Sequence, residues 1–120
     1  MTTEIAHTSA IQSKKVIGTK VSDMAGTKIG VIEDIVFDKK TGRIIFAVVG
    51  FGGVMGMGEK FHPVPWSTLD YDVKQQSYMV SLTKEQLKSA PADSIEELTR
   101  NNGMTYRDLA HDYYKAPRNW

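Results

Sequence analysis

Apolar residues recur at every second position through residues 14–82, and at helical spacing only after residue 83. Residues 16–21 read as a short strand, closed by the turn formers Ser22-Asp23 and Ala25-Gly26. Residues 29–38 alternate imperfectly. Ile29, Val31, Ile35 and Phe37 are apolar at odd positions with Glu33 as the exception, yet Ile32 and Val36 are apolar at even ones. An alternation with such a flaw predicts a bulge or a partly covered outer face. Residues 38–42 (Asp-Lys-Lys-Thr-Gly) predict a hairpin turn, because Gly42 takes φ > 0 at no steric cost and Asp38 can bond the backbone ahead of it. Residues 43–49 are apolar on both faces, as in a central strand with a second layer over it.

Five of the ten glycines fall in residues 50–60. Residues 61–66 must then be extended, since Pro63 and Pro65 disfavour helix for themselves and for the residue before each, and they confine this segment to an edge. Leu69, Tyr71 and Val73 alternate before the polar turn 74–77, and Tyr78, Val80 and Leu82 after it, which makes another hairpin. The fold class expected is all-β: a small, six-stranded antiparallel barrel with a short C-terminal helical extension. Closure would remove the edges that such short strands otherwise expose. Ile35, Phe37, Ile45, Val49, Val64 and Val80 are the expected core residues.

The helical signals are local. Thr83 and Gln86 have capping-box spacing, with Leu82 and Leu87 placed as a hydrophobic staple. Ser94 caps a further turn, Asn101-Asn102-Gly103 breaks it, and residues 105–114 form a last helix with Tyr106, Leu109, Ala110 and Tyr113 at helical spacing. The expected division is a flexible arm over 1–13, a barrel over 14–82 and a helical extension over 83–120.

Composition mostly excludes. The absence of cysteine removes disulfides, zinc–thiolate sites, iron–sulfur clusters and cysteine nucleophiles. Fifteen basic residues against fourteen acidic ones leave no nucleic-acid footprint at the level of the whole chain. No apolar run approaches the roughly 20 residues of a transmembrane segment, and the first residues lack a secretory signal, so the expected location is cytoplasmic. The glycine-rich stretch fails both phosphate-loop templates. Met55 stands where the dinucleotide fingerprint needs its third glycine, Glu59 stands where a P-loop needs lysine, and Phe61-His62-Pro63 cannot start the helix either requires. His7, His62 and His111 each lack a local pair of further ligands. Glu33 and Asp34, adjacent on a strand, point to opposite faces and cannot share a proton. No catalytic residue, metal site or cofactor is expected.

The order of these features resembles the PRC-barrel family. The likeness rests on residues 30–38 (Gly-Val-Ile-Glu-Asp-Ile-Val-Phe-Asp), then Gly42-Arg43-Ile44, the glycine-rich residues 52–60 and Val64-Pro65-Trp66, and it covers residues 13–82. The family includes the cytoplasmic domain of the photosynthetic reaction-centre H subunit, the C-terminal domain of a ribosome maturation factor, and stand-alone bacterial proteins. The resemblance implies a compact, non-catalytic binding or assembly module. It also carries two alternatives: an RNA-processing or ribosome-assembly accessory, and a peripheral component of a membrane or photosynthetic electron-transport complex. Val54, Met55, Met57, Tyr106, Leu109, Tyr113 and Trp120 are apolar or aromatic yet lie outside the strands. They are the candidate interface, and they predict a homo-oligomer, a dimer first, beside an unidentified protein partner. The tail aromatics are buried either on their own barrel or on a second copy.

Overall fold

The computed structural model describes residues 10–51 and 60–118. Its organising element is a long hairpin, β2 (Lys28–Phe37) with β3 (Ile44–Phe51). Around it lie β1 (Lys20–Ser22), β4 (His62–Val64), β5 (Asp70–Asp72) and β6 (Ser77–Met79), in the sheet order β4-β3-β2-β1-β6-β5. Six strands are present as expected, but the sheet is mixed and open rather than an antiparallel closed barrel. β1 pairs with β6 in parallel, Val21 beside Tyr78 and Ser22 beside Met79. The cause is the corner between β4 and β5. A 3₁₀ turn at Trp66–Thr68 carries the chain from one edge of the sheet to the other without reversing it, so β6 returns running the same way as β1. The two edge strands are thus joined by a covalent corner rather than by ladder hydrogen bonds, and the Trp66 ring meets Tyr78 edge-on at 5.5 Å.

The first segment also differs from expectation. Residues 13–16 form one helical turn, α1 (Ser13–Val16), and the strand begins only at Lys20. Gly18, at φ +92°, makes the break, and its N–H donates to the Ile32 carbonyl.

The flaw in the β2 alternation is a bulge. The register against β3 slips between Ile32 and Asp34, so Glu33 is the extra residue. The slip keeps Ile32 and Ile35 on one face, where with Val21, Val49, Val64 and Val80 they build the larger core cluster. Gly30 pairs with Phe51 at the end of the hairpin away from its turn. A Cβ there would sit 2.4 Å from the Gly50 carbonyl oxygen and 2.7 Å from the Phe51 ring, so only glycine fits.

The second face of β3 carries Phe46 and Val48, both fully buried. The C-terminal extension is made of α2 (Lys84–Lys88), α3 (Ile95–Thr99) and α4 (Met104–Tyr114); α2 adds Leu87 to the larger cluster, and α3 and α4 cover Phe46 and Val48. The capping box at Thr83 forms, with the Gln86 N–H donating to Thr83 Oγ1 and the Thr83 N–H to Gln86 Oε1. Ser94 caps α3 through the Glu97 N–H. Asn101, Asn102 and Gly103 all take positive φ (56°, 59° and 75°), which reverses the chain and lays α4 back across the sheet. Leu98 and Tyr106 then close on Phe46 and Val48 as a second cluster.

Of the expected core residues, Val49, Val64 and Val80 are fully buried, while Ile35 and Ile45 are half-buried against the two clusters. Phe37 is a correction, because it is 57% exposed. It stands on the core side of β2 but beyond the end of the core.

Leu98 is a tail residue that is fully buried, in the second cluster. Leu98→Ala is expected to cost about 2–5 kcal/mol in urea unfolding, as buried large-to-small changes do. A loss below about 0.5 kcal/mol would mean that the tail is a loose appendage.

Candidate interaction surface

β2 has ten residues and β3 eight, whereas each other strand has three. β1 pairs with β2 only as far as Val31, and β4 reaches β3 only as far as Ala47. Gly18 and Thr19 extend this bonding as far as Ile32, and beyond Ile32 on β2 and Ala47 on β3 the two long strands pair with each other alone, so the hairpin outruns the sheet. Its turn is rigid. The Asp38 N–H donates to the Arg43 carbonyl, the Gly42 N–H to the Asp38 carbonyl, and the Lys40 N–H to Asp38 Oδ1 at 2.8 Å. The Lys40 amide holds the Asp38 carboxyl below the usual carboxylate range.

Phe37 and Ile44 sit opposite each other at this projecting end. Both are exposed, Ile44 by 42%. Facing them is α1, held to the body by Val16, which is buried in the core, and by Thr19 Oγ1 donating to the Lys15 carbonyl. Between α1 and the hairpin runs an apolar groove of about 390 Å³. Val16, Ile35 and Trp66, all packed into the main core, form its base. Ile11 and Ile17 on one side and Phe37 and Ile44 on the other form its rims, and all four are exposed. Its polar members are Ser13 and Asp34, whose Oδ1 accepts from the Ile35 N–H at 2.7 Å. Lys14 and Lys15 are exposed on α1 outside the residues that line the groove. A second hollow of about 510 Å³ lies on the other side of the hairpin tip, where Lys39 and Lys40 approach Asn102 and Met104.

The candidate residues named from sequence have separate fates. Val54, Met55, Met57 and Trp120 lie outside the described residues. The Tyr106 ring packs into the second core cluster, and its hydroxyl donates to Asp93 Oδ2 at 2.6 Å. The Tyr113 hydroxyl donates to the Gln86 carbonyl. Two tail aromatics therefore lie against their own chain, while Leu109 stays exposed on α4. Asp93 is the latch of this arrangement. Its backbone pairs in both directions with Phe61 at the β4 edge, and its side chain also accepts from the Ser94 N–H. Hydrogen bonding to Tyr106, then to Ser94, holds its carboxyl below the usual range, and the same bond pushes Tyr106 up to about 12. His62 is a packing residue: Nδ1 lies 3.1 Å from the Pro91 carbonyl, the ring meets Phe51 at 5.0 Å, and burial lowers its pKa. Among the described residues, no group of three or more His, Asp or Glu side chains is placed to hold a metal ion, and no helix is long and apolar enough to cross a membrane.

Sequence reasoning missed the groove because it placed Phe37 in the core. The signal was available: β2 and β3 are apolar over more residues than any neighbouring strand can cover. Residues 9–87 match the family model for the PRC-barrel domain. No curated protein matches the chain.

Two measurements check this geometry. Phe37→Ser should shift stability by no more than about 0.5 kcal/mol, as exposed positions do. Ile32→Ala, on the same strand, should cost about 2–5 kcal/mol. Similar losses at both positions would place Phe37 inside the core. Separately, a folded-state pKa raised above 10.0 means that the Tyr106 bond stabilises fully below pH 10 and is lost as pH rises through about 12. The Tyr106 ring carbon followed by NMR should titrate near 12, and nearer 10 in Asp93→Asn. Equal midpoints would remove the latch.

Proposed function

We propose that this chain, which belongs to the PRC-barrel domain family, is a non-catalytic binding and assembly module with the hairpin-end groove as its contact face. The observation that carries this reading is the groove itself, where four large apolar side chains stand exposed around a base rooted in the core. Clustered apolar exposure of this kind marks interaction sites, whereas single exposed apolar residues need no explanation. The base is preorganised by core packing and the rim by a hydrogen-bonded turn, so a partner would meet a formed surface and little ordering entropy would oppose it. The non-catalytic part of the reading rests on the family and on the chemistry near the groove. Its carboxylate, Asp34, bonds its neighbour's backbone, and no ion pair joins it to another side chain among the described residues. The RNA-accessory and membrane-complex readings rest on the family alone, and the identity of the partner would select between them.

A photo-crosslinking amino acid placed at position 37 in the native host, with the more exposed position 73 as a control, tests the contact face. Discrete protein adducts are expected from position 37 only. Adducts at 37 no stronger than at 73 would overturn it.

A further inference from the structure

We infer that Asp34 guards an open strand edge: by holding the Ile35 N–H, its carboxylate closes the projecting flank of β2 to the addition of a further strand. The inference does not depend on the contact-face reading. It starts from how the backbone groups of the hairpin are shared out. Pro63 has no N–H, so the ladder between β3 and β4 runs through Val49 with His62 and Ala47 with Val64. Ala47 therefore turns its backbone groups toward β4, and Ile35, its partner on β2, turns its own toward the outer flank. On that flank Ile32 is satisfied twice, its N–H donating to the Thr19 carbonyl at 2.9 Å and its carbonyl accepting from the Gly18 N–H at 2.7 Å. Ile35 follows after the bulge at Glu33 and meets no strand, because the chain before Gly18 leaves the sheet as α1.

A bare N–H at such a place is a template for another chain. Neighbouring strands lie about 4.8 Å apart, and the groove of about 390 Å³ borders this flank, with Asp34, Ile35 and Phe37 among its walls. The edge is therefore open to approach. Asp34 Oδ1 takes the N–H at 2.7 Å. An incoming strand would have to put a carbonyl oxygen where the carboxylate oxygen already lies. It would break a charge-assisted hydrogen bond and set two acceptors against each other. Native sheets blunt their edges with charges and with bulges. Here the two are adjacent in sequence, Glu33 supplying the bulge and Asp34 the charge.

Three substitutions at this exposed position separate the hydrogen bond from the charge. Asp34→Asn keeps an acceptor without a charge, Asp34→Lys keeps a charge without an acceptor, and Asp34→Ala keeps neither. Amide exchange of the full chain, followed by NMR, reads the bond directly, with the Ile32 amide as reference because Thr19 holds it on the same flank. A general loosening of the fold speeds both amides and cancels in their ratio. Relative to Ile32, the Ile35 amide is expected to exchange about tenfold faster in Asp34→Ala and Asp34→Lys, and within about threefold of the wild type in Asp34→Asn. Thioflavin fluorescence and light scattering under agitation read strand addition. Asp34→Ala and Asp34→Lys should assemble sooner than the wild type, and Asp34→Asn should not. The guard stands only if both readouts sort the variants in this way. Ile35 exchange that is equal in all four chains removes the bond. Assembly of Asp34→Asn with Asp34→Lys left soluble would make the charge alone the barrier, and that ordering or any other overturns the inference.

Discussion

A strand that is apolar on both faces must be covered twice, and β3 is that strand. Ala47 and Val49 face the larger cluster while Phe46 and Val48 face the smaller, and all four are completely buried. Fully burying a Phe or Val side chain is worth about 1.5–3 kcal/mol relative to leaving it in water, so an uncovered second face would forfeit a large part of the stability of so small a domain. The sheet supplies most of one cover, by curling until β4, β1 and β6 enclose the first face, with Val16 and Leu87 completing it. The other has to come from elsewhere in the chain. This requirement accounts for the turn at Asn101 to Gly103, the latch at Asp93 and the direction of α4.

The family match ends at residue 87, whereas Leu98 and Tyr106, which cover the second face of β3, come after it. The helical extension is therefore part of this chain's core and not an appendage to a finished barrel. It also settles how surface is shared out. Tyr106 and Tyr113 are engaged by their own chain, and four of the exposed apolar side chains, Ile11, Ile17, Phe37 and Ile44, gather around the groove beside the end of the hairpin.

Much of this was legible in the sequence, and what was not has identifiable physical causes. Caps, breaks and turns are local, so Thr83–Gln86, Ser94, Asn101–Gly103 and Asp38–Gly42 declare themselves in single short motifs. The double-sided apolarity of residues 43–49 announced a second layer without saying what forms it. The parallel β1–β6 pairing stayed hidden because it depends on the chain turning a corner at Trp66–Thr68 without reversing, which no alternation pattern encodes. Phe37 was misplaced for a related reason. Period-two reasoning assigns a residue to a face, but where the core stops along that face depends on how far neighbouring strands extend. The groove is a product of strand length, and strand length was the least certain quantity in the pattern.

The latch and tail have a consequence for biosynthesis. The two strands of the central hairpin are adjacent in sequence and can pair within microseconds of leaving the ribosome. Leu98, however, follows Val48 by fifty residues, which at roughly 5–20 residues per second is a delay of several seconds. Throughout that interval the nascent chain carries a formed hairpin with one apolar face still bare. An order of synthesis that delivers the cover last makes the growing chain a natural client for a ribosome-bound chaperone, and makes any truncated product more prone to aggregate than its length alone would suggest.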